Sequence, residues 1–157
     1  MQNELRHLTL GLALIVGAGS AAAQSVGKVE DQIRWRQAAY HTMAWSMARI
    51  KANVEGTYNK EQVEQAANVL AALAASGMGS LYQPGSDHGK GFKETRLKSE
   101  FFKQGDKVRE VAMAFGKEAS ELAKVAATGD VAAVKTQFGK VGETCKSCHD
   151  KYRKDEK

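Results

Sequence analysis

The feature that most constrains the fold is a run of eight residues spaced alternately by four and three positions. These residues are Val29, Ile33, Arg36, Tyr40, Met43, Met47, Ile50 and Val54. Such spacing places every member on one face of an α-helix, as in helices that pack in a bundle. One member, Arg36, is charged where an apolar residue is expected. A cation inside an apolar seam requires a buried partner.

Three further segments show helical periodicity. The second helix is predicted from Val63, Ala66, Ala67, Leu70 and Leu73. The third is predicted from Val108, Ala112, Phe115, Ala119, Leu122 and Ala126. The fourth, which Asp130 is predicted to cap, contains Val131, Val134, Phe138, Val141, Cys145, Cys148 and Tyr152. Four amphipathic helices and no strand-like alternation predict an all-α protein, an antiparallel up-down four-helix bundle.

The second and third helices are separated by a segment of unusual length, residues 77–101. It contains several glycines and Pro84, the single proline of the sequence. Connections between helices of a bundle are usually much shorter. We therefore expect this segment either to wrap over a neighbouring element or to be mobile.

The first 23 residues have the layout of a secretory signal peptide. Arg6 and His7 precede an apolar run over residues 8–18, and small residues follow up to Ala23. The run is short for a membrane span and contains glycines. Cleavage after Ala23 is therefore predicted, leaving residues 24–157 as one bundle domain in the periplasm, with no remaining membrane segment.

The charge of the chain is modestly positive, with a formal net charge of +5 at pH 7. Lysines and acidic residues are interspersed along most of the sequence, and only the carboxy-terminal tail is markedly basic. An exported protein rarely meets nucleic acid. The basic surplus is thus interpreted as a solvated surface, and no nucleic-acid partner is expected.

Both cysteines of the chain lie in one short motif, Cys145-Lys-Ser-Cys148-His149. A structural zinc site needs four ligands, and this motif supplies three. A thioredoxin-type dithiol belongs to a βαβ unit, which the sequence does not contain. A disulfide over three residues closes a very small loop, gives little entropic stabilisation and leaves the histidine unexplained.

Covalent attachment of c-type haem explains all three residues of the motif. Positions i and i+3 share one helix face, so Cys145 and Cys148 can meet two vinyl groups at one porphyrin edge. His149 follows directly and can reach the iron as the proximal ligand. The seam of the fourth helix points the two thiols inward. One covalently bound haem c is therefore the predicted cofactor.

These motifs resemble the cytochrome c′ family over essentially the whole chain that follows the signal peptide. The resemblance is strongest in "VGETCKSCHDKYRK", residues 141–154, and in "EDQIRWRQAAYHTM", residues 30–43. The segment "TRLKSEFFK", residues 95–103, resembles a weakened form of a family stretch that usually carries Pro-Glu-Ile-Trp. Phe102 is the candidate for the role of the missing tryptophan at the haem edge.

The resemblance implies roles for further residues. In this family the iron is five-coordinate and high-spin, and a bulky side chain of the first helix covers its distal face. Tyr40 stands at the matching position. Arg36 and Gln37 are implied to bind the haem propionates. Arg153 is implied to lie against the proximal imidazole.

Several other donors could alter this coordination. Met43 is one turn beyond Tyr40, and related low-spin bundle cytochromes use a methionine of this helix as the sixth ligand. His41 lies off the seam and His88 lies in the long segment, so both are expected to face solvent. The remaining candidates, Met47 and Met113, are interpreted as core residues.

Two classes of function follow. A vacant iron site behind Tyr40 would bind small diatomic gases such as nitric oxide and carbon monoxide. Alternatively, the iron would carry electrons and the lysine-rich surface would dock unidentified redox partners. An enzymatic role is not expected, because no acid–base pair converges near the motif. The resemblance further implies a homodimer.

Overall fold

The computed structural model describes residues 26–155, so the predicted signal peptide lies outside the described residues. Within this range are five α-helices and one 3₁₀ turn. The α-helices are α1 (Val29–Glu55), α2 (Lys60–Ala75), α3 (Glu100–Lys103), α4 (Gly105–Thr128) and α5 (Val131–Tyr152). The four long helices are those that the sequence predicted, and α3 is a single turn immediately before α4.

Side-chain contacts establish the directions of the long helices. Asn53 near the end of α1 donates to Gln62 near the start of α2, at 3.4 Å. A Cβ built on Gly129, after the end of α4, would lie 3.1 Å from Lys60 at the start of α2. Because α5 begins directly after this glycine, the end of α4 and the start of α5 also meet here. The chain therefore runs up-down-up-down, which confirms the predicted four-helix bundle.

The predicted seams form the core. Its fully or almost fully buried apolar members are Met43, Ile50, Val63, Ala66, Ala67, Leu70, Ala119, Leu122, Ala126, Val134 and Val141. Asp130 caps α5 as predicted, since its carboxylate accepts from the backbone N–H of Ala133 at 3.0 Å. Each seam thus buries one helix face against its neighbours.

Besides Tyr40 in the first seam, which is 44% exposed, three further predicted core positions are wrong. Met113 is 68% exposed, Val131 is 39% exposed, and Ala112 is exposed as well. Val131 is the first residue of α5, where the helix has no preceding turn to pack beside it. The other two lie in the amino-terminal half of α4. This half borders an open groove of about 650 Å³ against α5, lined in part by Val111 and Thr144, so it is not closely packed.

The long segment after α2 wraps over α1, which settles the alternative that the sequence left open. A 3₁₀ turn (Met78–Leu81) begins it. Backbone of the segment then approaches α1 so closely that a Cβ on Gly91 would lie 2.7 Å from the backbone nitrogen of Arg34. The segment thus closes the bundle at the end that contains the cysteine motif.

No helix within residues 26–155 has the length and apolar character required to cross a bilayer.

Candidate haem-binding site

The two cysteines lie on the inner side of α5, near its carboxy-terminal end. Both are half-buried and neither is in a disulfide, and Cys145 packs against the apolar core. Burial raises the pKa of both thiols. The pKa of Cys148 is raised further by Cys145 and is lowered by the cation of Lys151. The thiols are therefore kept protonated, close together and within reach of a group bound inside the bundle.

His149 follows on the same helix and contacts a cation. Its Nδ1 lies 3.2 Å from the guanidinium of Arg153, one turn later. Partial burial lowers the pKa of His149, the cation of Arg96 lowers it further, and Asp150 opposes them. These effects favour the neutral imidazole, which is the form that binds metal. Arg153 thus contacts the imidazole, as the resemblance to the family implied, and its effect on the iron stays a prediction.

The motif borders an open cleft of about 560 Å³. Its lining residues are Arg96, Gly142, Cys145, Lys146, His149, Asp150, Arg153, Lys154 and Asp155. Haem c fits this donor set, because free thiols can form thioethers and an imidazole can bind iron. The surrounding cations can pair with carboxylates of the porphyrin. When bound, haem supplies an iron that can change oxidation state and coordinate small gases.

Tyr40 faces the cysteines from α1. Burial raises the pKa of Tyr40, and Cys148 and Cys145 raise it further, whereas Tyr82 and Arg36 lower it, so the phenol lies near the motif. The Tyr40 hydroxyl is 2.6 Å from that of Tyr82, and the Tyr40 side chain is 44% exposed. Tyr40 is thus a phenol beside the thiols, neutral at pH 7.

Arg36 is buried in the seam, as predicted, with 4% of its surface exposed. Its partners in the structure are groups of the long segment. The guanidinium donates to the hydroxyls of Ser86 at 2.8 Å and Thr95 at 2.7 Å, and to the carbonyls of Leu81 and Ser86. Burial lowers the pKa of Arg36, whereas Tyr82, Tyr40 and Asp87 raise it. Arg36 therefore fastens the segment to α1, and its pairing with propionates stays a prediction.

Gln37 performs a similar structural role. Its carbonyl oxygen accepts from the backbone N–H groups of Phe92 at 2.8 Å and Lys93 at 3.3 Å. Its amide nitrogen donates to the carbonyl of Lys93 at 2.9 Å. All of the polar groups of this side chain thus serve the long segment. Its predicted role toward the propionates remains untested.

Aromatic rings cluster beside the motif, and Phe101 lies at their centre. It stacks on Tyr82 with ring centroids 4.4 Å apart and meets Tyr152 edge-to-face at 5.8 Å. Phe102, the sequence candidate for haem-edge packing, is half-buried and contacts Phe101 edge-to-face at 5.5 Å. Phe101 and Tyr82 were not predicted from the sequence as site residues. Neither belongs to a periodic helical pattern, and the only available signal was their aromatic character in an otherwise polar segment.

The other possible iron donors are distributed as expected. His41 and His88 are exposed, and Met47 packs against the apolar core. Met43 is 7% exposed and belongs to this core. Of these four residues, Met43 is therefore the buried donor nearest to Tyr40 along α1.

The chain is similar to known proteins over most of its length. The sequence model described as "Cytochrome C'" matches residues 31–153. The chain belongs to the cytochrome c′ family. Cytochromes c′ carry covalently attached c-type haem, and Cys145 and Cys148 are the only cysteines available for it here.

Curated cytochromes c′ are similar over almost their whole length. The cytochrome c′ of Rhodocyclus tenuis is 59% identical over 128 residues, which cover 81% of this chain and 96% of that protein. The cytochrome c′ of Allochromatium vinosum is 52% identical over 153 residues, which cover 98% and 99%. The resemblance to the family seen in the motifs is thereby confirmed.

Solved structures of cytochromes c′ share the fold. One of them is a cytochrome c′ with an unusual ligand-controlled dimer dissociation. It is 55% identical with a TM-score of 0.80, and the match covers 83% of this chain and 99% of that one. A nitric oxide complex of a variant from Alcaligenes xylosoxidans is 28% identical with a TM-score of 0.73 and the same coverage. A carbon monoxide complex of another variant of that protein is 29% identical, with a TM-score of 0.72 and coverage of 82% and 98%.

Proposed function

We propose that this protein is a periplasmic cytochrome c′ in which His149 is the proximal ligand of a five-coordinate, high-spin iron. In this proposal Tyr40 covers the distal face, and the protein binds nitric oxide and carbon monoxide, transfers electrons, or does both. The proposal assigns the protein to binding and transport and not to catalytic turnover.

The position of Tyr40 carries this proposal. Its phenol lies 2.6 Å from the hydroxyl of Tyr82 and interacts electrostatically with both cysteines, and burial is the main cause that raises its pKa. A neutral phenol is a poor iron ligand, yet its ring excludes bulky or charged molecules. A small uncharged gas needs only a local displacement of this ring. The geometry therefore favours selective entry of diatomic ligands.

The relatives support the gas-binding part of the proposal. Structures of the Alcaligenes xylosoxidans protein contain nitric oxide in one case and carbon monoxide in another. That protein is 28–29% identical to this chain over most of both chains. We therefore propose the same two ligands here, with nitric oxide as the physiological candidate.

The decisive experiment combines spectroscopy with one substitution. The purified ferrous and ferric holoprotein should give high-spin, five-coordinate absorption spectra, and the ferric form should also give a high-spin electron paramagnetic resonance spectrum. Tyr40→Ala should bind carbon monoxide faster and retain its haem, because a small side chain leaves the distal face open. Unchanged association rates would remove Tyr40 from the proposed role. Low-spin, six-coordinate spectra would exclude the five-coordinate iron.

One observation favours an alternative, a low-spin electron carrier with Met43 as sixth ligand. Met43 is almost fully buried and lies one turn beyond Tyr40 on the same seam. The same spectra distinguish the alternatives, since Met43→Leu would convert a six-coordinate iron into a five-coordinate one. In a protein that is already five-coordinate, this variant would leave the spectrum unchanged.

We also propose that this protein forms a homodimer, because a cytochrome c′ that is 55% identical to it shows a ligand-controlled dimer dissociation. Sedimentation equilibrium of the holoprotein, with and without carbon monoxide, tests this proposal. A single monomeric species at all concentrations would contradict it.

A further inference from the structure

We infer that Tyr82 is a positioning residue that holds Tyr40 in the position where it covers the distal face, and thereby limits how fast gases reach the iron. The inference rests on the proposed function, in which Tyr40 covers the distal face. Tyr82 lies in the long segment after α2, 42 positions from Tyr40 in the sequence. It therefore connects the distal cover to a part of the chain outside the bundle helices.

The connection is one short hydrogen bond. The two hydroxyl oxygens are 2.6 Å apart, within the range of O–H···O hydrogen bonds. Burial raises the pKa of both tyrosines, and each also influences the pKa of the other. Both phenols are consequently neutral at physiological pH, so one can donate its proton and the other can accept it. Displacing Tyr40 toward solvent breaks this bond.

Tyr82 is suited to be the fixed member of the pair. Its ring stacks on Phe101 at 4.4 Å with an interplanar angle of 20°, and the guanidinium of Arg36 lies 4.8 Å from its centroid. Arg36 is itself buried and fixed by hydrogen bonds to Ser86 and Thr95. A cation and an aromatic ring therefore position Tyr82. Tyr40, by contrast, is 44% exposed, so protein covers only part of its surface.

This arrangement predicts how the hydroxyls affect gas binding. If the ligand enters only when Tyr40 is displaced, the association rate is proportional to the fraction of open molecules. One neutral hydrogen bond has a modest net strength, so its loss should raise the open fraction, and with it the association rate, about fivefold. Removal of either hydroxyl should have the same effect, because each removes the same bond.

The experiment is a double-mutant cycle on the ferrous holoprotein, measured by flash photolysis of its carbon monoxide complex. Tyr40→Phe, Tyr82→Phe and the double variant retain every ring and delete only hydroxyls. Tyr58→Phe is the matched control, since this phenol lies in the α1–α2 connection and its buried hydroxyl has no hydrogen-bond partner. We expect Tyr40→Phe and Tyr82→Phe each to bind carbon monoxide about fivefold faster than the unsubstituted protein. The double variant should bind no faster than either single variant, and the association rate of the control should be unchanged.

The outcomes separate this inference from the proposed function. If Tyr40→Ala accelerates binding but Tyr82→Phe does not, the role of Tyr82 is excluded and the distal cover stands. If the two Phe substitutions act additively, the hydroxyls do not operate through a shared bond and the inference is wrong. If Tyr40→Ala has no effect, the distal cover fails and the inference fails with it.

Discussion

The guanidinium of Arg153 lies 3.2 Å from Nδ1 of His149, one turn earlier on α5. A guanidinium keeps its positive charge at physiological pH and presents only hydrogen-bond donors to the ring. The same arginine ends the helix, and its backbone N–H donates to the carbonyl of His149 at 3.0 Å. Arg153 thus orients the histidine and places a fixed positive charge beside it.

Arg153→Ala is expected to lower the reduction potential of the holoprotein. A nearby cation disfavours the more positively charged ferric state, and at a high effective dielectric its removal should shift the potential by roughly tens of millivolts. Potentiometric titration measures this shift, and Arg153→Lys should retain part of the original value. Lys135→Ala is the matched control, an exposed cation near the other end of α5. Equal shifts in the control and in Arg153→Ala would contradict a local role.

Cys148→Ala is expected to reduce the yield of covalently bound haem several-fold, because only one thioether can then form. The pyridine haemochrome content per protein and the intact mass measure this yield. Ser147→Ala, one position away, leaves both thiols in place and should mature normally. A normal yield of holoprotein from Cys148→Ala would contradict attachment at this motif.

Arg36→Ala is expected to lower the free energy of unfolding of the holoprotein by about 2–4 kcal/mol, since it leaves several buried acceptors without a charged donor. Denaturant unfolding gives this value. Hydrogen exchange should also show faster exchange in the long segment, where Ser86 and Thr95 lose their partner. In the control, Arg34→Ala, an exposed ion pair to Asp31 is lost and the change should stay below about 1 kcal/mol. Equal losses of unfolding free energy in Arg36→Ala and Arg34→Ala would show that the buried hydrogen bonds of Arg36 do not stabilise the protein more than an exposed ion pair does.

Alkaline pH is expected to destabilise the protein partly through Tyr82. Burial raises the pKa of Tyr82 well above its ordinary value of 10.0. The unfolded phenol therefore loses its proton first, so the stability contributed by the neutral form is complete below about pH 10. It is lost as the pH rises from there toward the folded-state pKa. Denaturation midpoints measured from pH 8 to 11 should fall less steeply in Tyr82→Phe, and parallel curves would contradict this assignment.

The helices and the attachment motif could be predicted from the sequence because both are local patterns. The seam from Val29 to Val54 repeats every three or four positions, and the period of the helix converts this directly into one buried face. The cap at Asp130 likewise depends only on the following residues. The same applies to Cys145, Cys148 and His149, whose spacing on one helix fixes their geometry.

The sequence by itself determined four amphipathic helices, the order in which they pack and the haem-attachment chemistry of α5. Only the tertiary structure decided what the buried cation of Arg36 binds and which residue holds Tyr40. Ser86, Thr95 and Tyr82 lie at least 42 positions from their α1 partners, in a segment without periodicity. Contacts of this kind depend on how the segment wraps over α1. The physical reason is that helical periodicity encodes which face of a helix is buried, whereas the partner of an individual side chain is fixed by the packing of distant segments.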